Sequence, residues 1–114
     1  MTSALRHVRS AAEVRARHDD ARVVGPATDK SHLLAAIYAA LDAPAYAGAN
    51  YDALADIAGD LGWLPPGPVR LIWTPSAALP STVRAEVSQI LAEAVAATAP
   101  TARPLIVYLA AEAR

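Results

Sequence analysis

A chain of 114 residues with 54% hydrophobic positions makes one domain with its own core, although alanine supplies much of that share and phenylalanine is absent. The lack of cysteine excludes disulfides and thiolate metal sites and fits a reducing cytosol. The formal net charge of −1 hides an imbalance: six basic and four acidic residues up to Lys30, then four basic and seven acidic from Ser31 onward.

Between Ser31 and Val69 there is no Lys or Arg, against four Asp. That stretch argues against nucleic acid as its partner, because phosphate binding needs clustered Lys or Arg, and favours a basic protein. The first residues, Met-Thr-Ser-Ala-Leu-Arg-His-Val-Arg, have no apolar signal core, and the longest apolar run, Leu33 to Leu41, is too short to span a bilayer. The expectation is a soluble cytoplasmic protein with no membrane partner. The excess of Arg over Lys and the abundant Ala suggest a GC-rich bacterial genome.

In chain order, Leu5 to Arg9 reads either as a short edge strand or as an irregular lead-in. Ser10-Ala-Ala-Glu13 has capping-box spacing, so a helix is expected to about Asp19. Arg22-Val23-Val24, closed by Gly25-Pro26, predicts a short strand. Ser31 is the expected N-cap of a helix through Leu41, with Leu33, Leu34, Ile37, Tyr38 and Leu41 on its inner face and Pro44 barring continuation. Asn50 is the expected N-cap of a third helix, whose inner face is Tyr51, Leu54, Ile57 and Leu61, with Gly59 and Gly62 loosening its end. Trp63 and Leu64 return to the core before a proline-rich loop. Val69 to Trp73 predicts a strand, Ser81 or Thr82 opens a helix to about Thr98, and Pro104 to Leu109 predicts the last strand. Both later strands are near-continuous apolar runs. Strands of that kind are covered on both faces, as in a small three-stranded parallel sheet flanked by helices.

Few residues here carry reaction chemistry. His7, His18 and His32 are scattered without ligand spacing, no phosphate-binding glycine loop exists, and no serine sits in a nucleophile elbow. Neither a cofactor nor a catalytic residue is expected. Asp52 and Asp56, one helical turn apart, leave a Mg²⁺-dependent activity as a weak alternative. Asp52, Asp56 and Asp60 form a stripe of like charges, each pair costing an isolated helix about 0.2–0.5 kcal/mol. Two readings remain open on spacing alone. In one, Asp52 answers the helix dipole and Asp56 and Asp60 are solvated. In the other, a cationic partner supplies the missing charge.

The segment Pro44-Ala-Tyr46-Ala-Gly48-Ala-Asn50-Tyr51-Asp52-Ala-Leu54-Ala-Asp56 resembles the barstar family signature, roughly Pro-x-Tyr-x-Gly-x-Asn-x-Asp-Ala-Leu-x-Asp. The helix from Ser31, Trp63, the strand ending at Trp73, the helix carrying Glu93 and the final strand follow in the family's order. The resemblance runs from about Arg22 to Leu109. It implies an α/β, barstar-like domain at 21–114, preceded by an N-terminal extension at 1–20. It also implies an intracellular inhibitor, monomeric when free, of a basic extracellular-type or toxin ribonuclease.

By the same resemblance, Asp56 enters the nuclease active site and Asp52 is the second interface carboxylate. Tyr46 lies over the partner's catalytic histidine, Gly48 and Asn50 make loop contacts, and Glu93 is a peripheral acid. Ala55 and Ala47 stand where the founding member has aromatic residues, which points to a different nuclease or to weaker binding. The alternative is a repurposed interaction module that keeps the fold without inhibiting a nuclease.

Overall fold

The computed structural model describes residues 4–44 and 48–111. The elements are β1 (Leu5–Val8), α1 (Ala11–Arg15), β2 (Arg22–Val24), α2 (Lys30–Ala40), α3 (Tyr51–Asp60), β3 (Val69–Trp73), α4 (Ser81–Thr98) and β4 (Leu105–Ala110). One parallel sheet runs in the order β1-β4-β3-β2.

The sheet therefore has four strands rather than the expected three. The additional one is β1, from the stretch read as an extension, which pairs Leu5 with Val107 and Val8 with Ala110. Only Leu5 of β1 is buried, while Arg6 and His7 are exposed. A strand that buries one residue leaves almost no apolar period to detect.

The central strands β3 and β4 are the two long apolar runs, and each has a neighbour on both sides. Alternation sends Leu71, Trp73, Leu105, Val107 and Leu109 to one face of the sheet. There they meet Leu33, Leu34, Ile37, Leu54, Ile57, Val87 and Leu91 from α2, α3 and α4. Ile72, Tyr108 and Ala110 point to the other face, where α1 supplies only Val14 and part of Ala11. The sheet is thickly covered on one side and thinly on the other.

Several element ends differ from expectation. Ser10 does cap α1, its hydroxyl accepting from Glu13 N at 3.3 Å. That helix stops at Arg15 rather than near Asp19, because Ala-Arg-His-Asp-Asp after it offers no apolar face to continue it. The N-cap of α2 is Asp29 and not Ser31; the Asp29 carboxylate accepts from His32 N at 2.8 Å. Asp and Ser are about equal as caps, so sequence alone does not separate them. These bonds to His32 hold the Asp29 carboxyl below its ordinary value. At the end of α3 the left-handed residue is Leu61, at φ 59, rather than either neighbouring glycine. That conformation costs a non-glycine residue about 1–2 kcal/mol, and the complete burial of Leu61 offsets it.

Candidate functional site

The site begins where α2 ends. Two side chains hold that end in place. Arg22, on β2, donates through its Nη1 to the Ala40 carbonyl and to Asp42 Oδ2, both at 2.9 Å. Trp63 donates through Nε1 to the Leu41 carbonyl at 2.9 Å. Both satisfy carbonyls that a helix C-terminus leaves open, and the cation also suits the negative end of the dipole. Asp42 then turns the chain with φ 52, toward Pro44.

On the far side of the loop, Asn50 caps α3: its Oδ1 accepts from Ala53 N at 2.8 Å. Its amide nitrogen lies so near Gly48 that a Cβ there would stand 2.9 Å from it, so a side chain at 48 would displace the capping amide. Tyr38 reaches across from α2 and donates its hydroxyl to the Gly48 carbonyl at 2.6 Å. Burial pushes the Tyr38 hydroxyl above its ordinary pKa. Gly48 is thus held by a tyrosine from α2 and lies close against the asparagine that caps α3.

On this mount stands the acidic face. Asp52, Ala55, Asp56 and Asp60 are all exposed, while Leu54, Ile57 and Ala58 of the same helix are buried. Among the described residues, no cation lies within ion-pair distance of the three aspartates. Lys30, the first residue of α2, meets the helix in another way: its ammonium sits 3.9 Å from the centre of the Tyr51 ring. The lack of basic residues in the 31–69 stretch is thus partly compensated in space by the residue just before it.

Asp56 and Asp60 also line a cavity of about 270 Å³, together with Pro44, Gly48, Ile57 and Trp63. Asp52 favours α3 by standing in its first turn, whereas Asp60 stands in its last turn, at the negative end of the dipole. Among the described residues there is no group of three or more His, Asp or Glu that could hold a metal ion.

The expected residues are brought together unequally. Gly48, Asn50, Asp52, Ala55 and Asp56 form one continuous edge along the loop and α3. Tyr46 and Ala47 lie outside the described residues. Glu93 is exposed on α4, which packs against α3, and it accepts a hydrogen bond from Gln89 of its own helix at 2.8 Å. Two contributors escape a reading of spacing alone, and a third, Asp60, stands on the spaced stripe but outside the family signature. Tyr38 looks like one more apolar member of a helix face. Trp63 looks like plain core. Only the trailing polar atoms of the two aromatic residues hint at tethering.

The family model described as Barstar (barnase inhibitor) matches residues 7–110. That span takes in all but the first residues of β1 and continues to the end of β4. No curated protein and no solved structure matches the chain.

Proposed function

The chain belongs to the barstar family, and from that membership we propose that it is an intracellular inhibitor of a basic ribonuclease, blocking the nuclease active site with the acidic face of α3. The observation that carries this reading is the pair Asp52 and Asp56. They are exposed, one turn apart, on a helix fixed by its own cap, and without a cation within ion-pair distance among the described residues. Carboxylates held in that way match a cleft built to bind RNA phosphate. Standing on a capped helix, they need little reordering on docking.

In this reading Asp56 replaces a phosphate in the cleft and Asp52 replaces its neighbour. Asp60 adds a third charge at the rim of the adjoining cavity. Gly48 and Asn50 bring backbone and amide groups to the contact, Tyr46 covers the catalytic histidine of the nuclease, and Glu93 steers from the side. Long-range charge complementarity speeds association, and the close pairs slow release. Ala55 offers the partner a flat spot in place of an aromatic anchor, so the nuclease must fill that space with a bulkier side chain of its own.

The test is to titrate the protein into a ribonuclease encoded beside its gene. Stoichiometric loss of RNA cleavage is expected, and Asp56→Ala is expected to weaken binding by about 2 kcal/mol or more. Unchanged cleavage at equimolar inhibitor would overturn the reading. Binding that survives Asp56→Ala undiminished would favour the repurposed interaction module, for which the small Ala55 is the motivating feature.

A further inference from the structure

The thinly covered face of the sheet carries a second cavity, of about 280 Å³, between α1 and the strands β1 and β4. Its polar lining is Arg6, Glu13, Arg17, His18 and Tyr108, and its apolar floor is Val8 with Val14. The register explains the grouping. Arg6 stands opposite Tyr108 across the β1–β4 pair, both on the face away from α2, α3 and α4. The Arg6 guanidinium lies 6.0 Å from the centre of the Tyr108 ring. Arg17 and His18 enter from the turn that follows α1.

Three features mark this as more than a surface hollow. Tyr108 is only 8% exposed, yet its hydroxyl has no hydrogen-bond partner among the described residues. The ring is buried, but the hydroxyl oxygen itself keeps contact with solvent and is available as a donor at the wall of the cavity. Arg6 and Arg17 take part in no ion pair among the described residues, although Glu13 lines the same space. Two guanidiniums and an imidazole converging on one cavity make a site for an oxyanion, and guanidinium in particular matches its planar geometry. Glu13 contributes the only acceptor of full charge, which suits a ligand that also carries a donor.

We propose that this cavity is a second binding site, taking a small organic oxyanion that also bears hydroxyl groups. Arg6, Arg17 and His18 hold the anionic end, Tyr108 donates to it, and Glu13 accepts from a hydroxyl. The volume is near the lower end of the range for small-molecule sites, roughly 300 Å³ upward, so the ligand is of the size of a short sugar acid or sugar phosphate rather than a nucleic-acid strand. The site lies on the opposite face of the sheet from the acidic helix and does not depend on the inhibitor reading.

The experiment is an amide chemical-shift titration of the full-length chain with glycerol phosphate and, separately, with glycerate, which share hydroxyl groups but differ in the anion. Saturable shifts are expected, centred on Arg6 to Val8, Glu13 to His18 and Tyr108. Arg17→Met is expected to weaken the affinity roughly tenfold. Tyr108→Phe, which keeps the ring, weakens it by a smaller factor, and Asp56→Ala leaves it unchanged. Preference for one probe identifies phosphate or carboxylate as the anion. Shifts that never saturate with either probe, or that persist equally in Arg6→Met and Arg17→Met variants of unchanged fold, would overturn the proposal.

Discussion

The two faces of the sheet have been given opposite tasks. One carries three helices, nearly all the large buried side chains and, on its outer surface, three exposed aspartates. The other carries a single five-residue helix, a small apolar cluster and exposed arginines. The acidic site is therefore mounted on the more deeply packed side of the sheet, where a docking helix is held in its geometry. The basic cavity lies beside the thinly covered part, where a single short helix packs on the sheet. Charge and packing depth are divided along the same plane.

The largest expected effect tests that division of stability. Trp73 is fully buried beneath the helices, and Trp73→Ala should cost about 3–5 kcal/mol by opening a cavity. Val14, on α1, is as well buried but sits in the small cluster. Val14→Ala removes only two methyl groups, worth about 1–2 kcal/mol. Urea denaturation of both variants measures the difference. Equal losses would break the comparison and make the thin face an equal partner in the core.

How far the sequence reveals this plan follows the same division. The strands β3 and β4 are legible because burial on both faces leaves continuous apolar runs, and α3 is legible because Asn50 and the apolar spacing agree. The thin face is harder. The edge strand β1 buries one residue, and α1 is held by a single valine, so neither imprints a period. On the acidic side, the carboxylates and the cap can be read directly, since charge and capping are local properties. The tether from Tyr38 and the position of Lys30 over Tyr51 cannot be read in this way. Both depend on how α2 crosses toward α3, which no local pattern encodes.

A smaller effect sharpens the claim that the acidic site is held from below. Tyr38→Phe keeps the ring in place and removes the bond to the Gly48 carbonyl, at a cost of about 0.5–1 kcal/mol for a partly solvated pair. It should also slow association with the nuclease partner, because the loop before α3 loses its anchor. The burial of the Tyr38 hydroxyl has a pH signature of its own. The folded protein holds the Tyr38 proton more tightly than the unfolded chain does. Its contribution is complete below the ordinary tyrosine value of about 10 and falls as pH rises through the raised one. Wild type should lose stability along that alkaline limb more steeply than Tyr38→Phe. Identical alkaline limbs would show that the Tyr38 hydroxyl is not buried in the folded protein.

The smallest effect gives the clearest sign. Asp60 stands in the last turn of α3, where a negative charge opposes the dipole, and four residues from Asp56, where like charges repel. Its carboxylate folds back toward Gly62, close to where a Cβ would stand, and pairs with no cation among the described residues. Neutralising it should therefore stabilise the free protein, by about 0.5–1 kcal/mol, with a gain that shrinks as salt is added. If the cavity it shares with Asp56 faces the nuclease, Asp60→Asn should at the same time slow association with that partner. The two measurements then move in opposite directions: higher stability and a lower association rate. A residue that merely keeps the surface soluble would move neither association nor inhibition. A gain in stability with no change in the association rate would therefore limit the binding face of α3 to Asp52 and Asp56.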